Sequence, residues 1–217
     1  MAQQPAAAKR PAKKKGSDGY HHGYLKDALI LAGRQILEEE GVRALTMREV
    51  ARRAGVSHAA PAHHFGSIGT FLAEIAARGF AELTRTLDDA RADCASRNPA
   101  DQLCAMGCNY VRFATANRAV FQLMFGRETF TTSTEALEQS AQRAYQRLVN
   151  AVRDVDPAID EAELSARVDA TWALVHGYSH LLLEGKVCHG DPTPENIDRQ
   201  VTQAVRAYVT GLVKTPA

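Results

Sequence analysis

Between Thr46 and His64 the sequence sets two very short helical segments around a single glycine. Helices of this length are not stable alone in water, so the pair must be clamped by other elements. Thr46-Met47-Arg48-Glu49 has the pattern of a capping box. The Thr46 hydroxyl would accept from the amide of residue 49, and the Glu49 side chain would return to the amide of Thr46. A helix from Met47 to about Ala54 then ends at Gly55, which supplies a left-handed turn. Val56 is an apolar plug, and Ser57 can cap a second helix from His58 to about His64. Pro61 falls in that helix's first turn, where at most one backbone bond is lost. Ala51 is small enough to let the two helices approach.

The clamp is visible on both sides. Leu25, Ala28, Leu29, Ala32, Ile36 and Leu37 recur at three- and four-residue steps and predict a helix that stops at Gly41. Ser67 can cap a long helix carrying Phe71, Leu72, Ile75, Ala76, Phe80, Leu83 and Leu87, which runs to about Cys94. Asn98-Pro99 breaks the pattern. Further helices are expected over about 100–115, 120–125, 134–155, 161–185 and 194–212. No segment alternates as a strand would, and no internal repeat is present. The expected architecture is therefore all-α with about nine helices. It has a disordered basic arm over residues 1–19, a three-helix N-terminal helix-turn-helix domain over 20–66, and a C-terminal helical bundle over 67–217.

Charge is uneven along this frame. Residues 1–65 hold 11 basic against 6 acidic side chains, a balance of +5, while the remainder holds 15 against 19, a balance of −4. A basic end on an acidic body suits a molecule that meets phosphate at one end only. No run of 18 apolar residues offers a membrane span, and no apolar stretch follows the basic N-terminus to make a secretory signal. The four cysteines, with no CxxC spacing, fit a cytoplasmic protein with reduced thiols rather than a disulfide framework. Two short helices around a glycine turn also occur in ordinary helical hairpins. The capping box, the basic arm and the charge asymmetry favour DNA reading.

The residues themselves carry a closer likeness. Tyr20-His21-His22-Gly23, then the run from Leu45 through Ser57-His58-Ala59-Ala60-Pro61, then His64-Phe65, resemble the N-terminal domain of the tetracycline-repressor family of bacterial transcriptional regulators. Trp172-Ala173-Leu174-Val175-His176-Gly177 and Phe121 to Gly126 resemble one C-terminal subclass with a Trp-His-Gly motif. The resemblance implies a homodimer on a near-palindromic double-stranded operator, controlled by a small-molecule effector, with no cofactor and no catalytic role. By position, Thr46 and Arg48 would touch phosphate or a neighbouring base. Ser57, His58, Ala59 and Ala60 would face the major groove, and His63 and His64 would reach phosphate or a base edge. Tyr20, His21, His22 and Gly23 would lie along the backbone, with Lys13, Lys14 and Lys15 trailing beside it. Two departures stand out: Ala62 where the family usually has an aromatic residue, and Ile68 where it usually has a phosphate-holding Lys. Gly69 replaces what is often an acidic helix former, which softens that helix's first turn, and with the Lys missing affinity should lean on the basic arm and be unusually salt-sensitive.

In the C-terminal part, Phe113, Phe121, Met124, Phe125, Trp172 and His176 are candidates for a largely apolar effector pocket, with His176 as the single polar anchor. Each is equally suited to plain core. Leu181, Leu182, Val201, Val205 and Tyr208 are candidates for a two-fold four-helix seam. His58, His63 and His64 do not share a helix face as metal ligands would. Cys104 and Cys108, one turn apart, fit either a thiol pair or two small buried side chains. A helical enzyme is the competing class. The chain has no GxSxG, HExxH, phosphate-cradling glycine loop or acidic metal cluster to support one.

Overall fold

The computed structural model describes residues 18–126, 132–187, 191 and 193–214, the side chains of 18–23 and 212–214 excepted. Among the described residues the chain is all-helical, with nine α-helices and no strand. They are α1 (Asp18–Glu40), α2 (Met47–Ala54), α3 (Ala60–Phe65), α4 (Ile68–Ala92), α5 (Pro99–Ala116), α6 (Arg118–Phe125), α7 (Glu135–Val155), α8 (Glu161–Leu183) and α9 (Pro194–Lys214). None of them is long and apolar enough to cross a membrane.

Local signals account for most boundaries. Thr46, Ser67, Asn98, Thr134 and Asp160 each accept a backbone N–H at the start of a helix. Gly55 closes α2 at φ 67°, and Gly185 follows α8 at φ 68°.

Four local expectations change. The first helix begins at Asp18, within the stretch expected to be a disordered arm and seven residues ahead of Leu25. The capping box is half made: Glu49 N–H donates to Thr46 Oγ1 at 3.2 Å, but the Glu49 carboxylate takes Arg52 instead of returning to Thr46. A short 3-10 turn, Val42–Ala44, fills the gap before Thr46. The second motif helix starts at Ala60, not His58, and Ala59 is its N-cap without a side-chain bond. Ser57 contributes its carbonyl, which accepts from the Ala60 amide at 3.0 Å. Pro61 explains the shift. A helix begun at His58 would drive its ring against the carbonyl four residues back, whereas the later start leaves it in the first turn.

Packing then organises everything around α4. Its N-terminal half lies on α1, where Lys26–Glu74 (3.0 Å) and Arg78–Asp27 (2.8 Å) lace the pair and Arg34 holds Glu82. Phe71, wholly buried, stacks edge-on with Phe65 of α3 at 4.8 Å between ring centres. Its ring fills the space a Cβ on Gly33 would need, 2.6 Å away, so the glycine is what lets α1 and α4 close. Farther along, α4 packs against α5, α6 and α7, and α5 in turn carries α8 and α9. One helix of 25 residues, about 37 Å long, therefore runs from the motif's exit into the C-terminal bundle.

Candidate functional site

The motif presents a polar surface away from this core. Thr46, Arg48, Ser57, His58, Ala59 and His63 are exposed, Ala60 and His64 are half-buried, and Val50, Ala51, Pro61 and Phe65 are buried behind them. Arg48 and Arg52 both project from α2, but Arg52 is tied to Glu49. Arg53 is drawn back by Glu39 (2.5 Å) and Glu40 (2.8 Å), which raise its pKa chiefly through the Glu39 bond. The acidic end of α1, exposed as it is, thus clamps α2 to α1, and Arg48 is left without an ion pair among the described residues. Ile68 packs against the core rather than presenting itself to an anion. Lys13, Lys14 and Lys15, and the side chains of Tyr20, His21 and His22, lie outside the described residues, and Gly23 is seen only as backbone of α1.

The second feature is a cavity of about 520 Å³ enclosed by α4, α5, α7 and α8, with the end of α6. Phe80, Leu83 and Leu87 of α4 and Leu103 and Met106 of α5 form its apolar floor. Met124 and Phe125 close one side, and Leu137, Ala144 and Leu148 of α7 another. Of the six pocket candidates named from the sequence, Met124, Phe125 and Trp172 line it. Phe113 and Phe121 are buried outside the lining, where Phe121 stacks on Phe125 at 5.0 Å. His176 stands one layer back: its Nδ1 meets Tyr110 Oη at 2.9 Å, and its ring lies 4.6 Å from that of Phe125.

Electrostatics sort this polar pair. Burial, with a smaller push from His180, brings His176 down to about 4, so the imidazole is neutral. Burial likewise pushes the Tyr110 hydroxyl well above its ordinary range. Both groups are thus neutral, and the bond between Tyr110 Oη and His176 Nδ1 satisfies one hydrogen-bonding group on each.

Tyr110, Thr171, Glu138, Gln142 and Tyr145 were not singled out from the sequence, although they complete the wall. The available signal was the α7 stripe of Leu137, Ala141, Ala144 and Leu148, whose small members leave the room. Gly107 of α5, facing Val175 of α8, has the opposite character: a Cβ at Gly107 would come within 2.9 Å of Val205.

That contact corrects the seam reading. Val201 and Val205 are 1% and 3% exposed in the single chain because they bury α9 against α5, so they have no surface left for a second copy. Tyr208 is half-buried, with Oη 3.3 Å from Thr171 Oγ1, and Leu182 packs against the core; of the five, Leu181 alone is exposed, at 41%. Cys104 and Cys108 are both buried and unbridged, and the neighbouring Cys108 thiol, then burial, pushes the Cys104 thiol up. Among the described residues no three His, Cys, Asp or Glu side chains gather as a metal site would require.

Known proteins resemble the chain over both the motif and the cavity. Residues 29–75, from α1 through the start of α4, match the family of bacterial regulatory proteins of the tetR type. Residues 103–208, which carry the cavity, match a tetracyclin repressor-like C-terminal domain. Among solved structures, a protein of unknown function from Rhodococcus sp. RHA1 is 30% identical with a TM-score of 0.77, covering 91% of this chain and all of its own. The TetR family transcriptional regulator PfmR from Thermus thermophilus shares the fold at 18% identity and TM-score 0.60, over 87% of this chain and 98% of its own. AibR, solved with isovaleryl coenzyme A and operator DNA, does so at 15% and 0.60, over 85% and 97%. No curated protein matches the chain.

Proposed function

The chain belongs to the tetR family of bacterial regulatory proteins and is a DNA-binding transcriptional regulator, and on that premise we propose that it is a repressor released by a small apolar effector. DNA reading is assigned to residues 20–66, and effector binding and dimerisation to 67–217. Thr46 and Arg48 anchor the phosphate backbone, while Ser57, His58, Ala59, Ala60 and His63 meet the major groove. His64 and the segment from Tyr20 to Gly23 flank them, with Lys13 to Lys15 adding charge.

One observation carries the reading: the helix that leaves the reading motif at Ser67 is the helix whose Phe80, Leu83 and Leu87 floor the cavity. An occupant acts on DNA affinity only if it favours one placement of α4 over another. A two-fold dimer, joined through the exposed side of α8 with Leu181, would set two copies of α3 about 34 Å or a multiple apart on a near-palindromic operator. Such a regulator would work in the cytoplasm.

Fluorescence anisotropy on the DNA flanking the protein's own gene, against a scrambled duplex over a salt series, tests this. Binding about a thousandfold tighter to the flanking DNA, with a steep negative salt slope, is the expected result. Equal binding to both duplexes would instead mark a sequence-tolerant architectural protein.

A further inference from the structure

We infer that the cavity selects its occupant by charge, taking an aromatic lipophile with a positive nitrogen at the mouth and refusing carboxylates and phosphates. The inference rests on the effector-binding reading of the cavity and deepens it. Tyr110 Oη is taken up in a hydrogen bond with His176 Nδ1 at 2.9 Å, and Thr171 Oγ1 donates to the Arg167 carbonyl at 2.7 Å. An anion needs a cationic partner, and among the described residues no Lys, Arg or His lines the cavity, whose polar groups apart from Glu138 are neutral hydroxyls, the Gln142 amide and the Trp172 indole.

Two further observations point the same way. Among the described residues every buried side-chain nitrogen and oxygen already has a partner, so the interior makes no polar demand and is matched by an apolar body. The mouth is different. Among the described residues Glu138 is the sole ionisable acid or base lining the cavity besides its tyrosines, and it is exposed, accepts from Ser133 Oγ at 2.6 Å, and has no cationic partner there. On the same face of α7, Tyr145 follows Glu138 at two helical turns and meets Trp172 of α8 edge-on at 6.3 Å. Both rings are 38% exposed, large apolar surfaces left open at the mouth about 10 Å along α7 from the Glu138 backbone. Open aromatic rings at one end of the mouth and a carboxylate at the other suit an aromatic body that carries an alkylammonium.

Trp172 is the single tryptophan of the chain, so its emission reports directly on the cavity. The test titrates the full-length protein with three ligands sharing one body: biphenylmethyltrimethylammonium, biphenylmethanol and biphenylacetate. We expect the cation to bind at least about tenfold tighter than the carboxylate, with the alcohol between them. Glu138→Gln should remove most of the margin between cation and alcohol and leave the alcohol's affinity unchanged. Carboxylate binding as tight as that of the cation would overturn the charge selection while leaving an effector cavity in place. An unchanged cation margin in Glu138→Gln would overturn the role of Glu138. Trp172 emission that no member of the set alters, in protein whose melting shows it folded, would overturn both the selection and the cavity reading beneath it.

Discussion

The two ends of α4 are built on opposite principles. At its start, the motif is assembled from neighbours in sequence: a threonine cap, a left-handed glycine and a proline within twenty residues determine two helices and the turn between them. Farther along the helix, the cavity has no local author. Its walls come from α4, α5, α6, α7 and α8, and the space exists because Ala141 and Ala144 are small where large side chains would have met. A motif made of local rules tolerates little change within itself, whereas a cavity made by distant packing tolerates changes in shape and fails only when its frame moves.

Phe71 is where that contrast can be broken hardest. It belongs to α4 yet holds the motif, between Phe65 and Gly33. Phe71→Ala should cost about 3–5 kcal/mol, as truncation of a buried aromatic does, and chemical denaturation with both tryptophan emission and circular dichroism measures it. If the two signals separate, with the motif melting before Trp172 responds, the ends are independent folding units. A single shared transition makes them one.

Gly55→Val attacks the motif alone. Nothing lies within 4 Å of the added Cβ, so the cost is conformational: a β-branched residue at φ 67° is strained by about 2 kcal/mol or more. Specific DNA binding should be lost in the anisotropy assay, while ligand-induced changes in Trp172 emission keep the wild-type midpoint. A shifted ligand midpoint would show that the turn's geometry reaches the cavity.

The cavity's counterpart is a titration. His176 is neutral in the folded protein, with its pKa brought down to about 4 by burial and then by His180. The unfolded chain takes up this proton near the ordinary 6.5, so between those two values unfolding binds a proton. Stability should therefore be full above pH 6.5 and fall as the pH drops toward 4, with a slope no steeper than about 1.4 kcal/mol per pH unit for this one group, and less because it is half-exposed. His176→Phe should flatten that part of the curve in melting experiments. If the slope persists, other groups carry it.

These contrasts also explain what could be read from the sequence. Thr46, Gly55 and Ser67 act on residues three or four away, so their roles followed from spacing. The pocket anchor was placed by residue type: His176 was legible as a polar group on an apolar helix, but not that Tyr110, 66 positions earlier, would stand between it and the cavity. Val201 and Val205 show the same limit. An apolar stripe announces burial without saying whether the covering surface is another helix of the same chain or a second copy, and here α5 covers it. Glu39 and Glu40 close α1 as a bare run of like charge in the sequence, whereas their partner, Arg53, lies across the fold on α2.

The smallest effect is the most informative about how the two ends communicate. Gly69, in the first turn of α4 just past the recognition helix, lies against Thr132, and Ser133, the next residue, lines the cavity. An alanine Cβ at position 69 would come within 2.3 Å of Thr132 Oγ1 and 3.0 Å of its Cβ, so Thr132 would have to yield. Helical alanine otherwise gains about 0.5–1 kcal/mol over glycine. Gly69→Ala alone should thus be close to neutral or slightly destabilising, and in a Thr132→Gly background it should recover the expected gain. The double-mutant cycle would then report a coupling of about 0.5–1 kcal/mol. The same cycle, repeated on the effector's power to release DNA, decides what the contact does. Coupling in stability but not in release would leave it a packing contact. Coupling in both would make Thr132 and Gly69 a second route between the cavity and the recognition helix, beside the length of α4 itself.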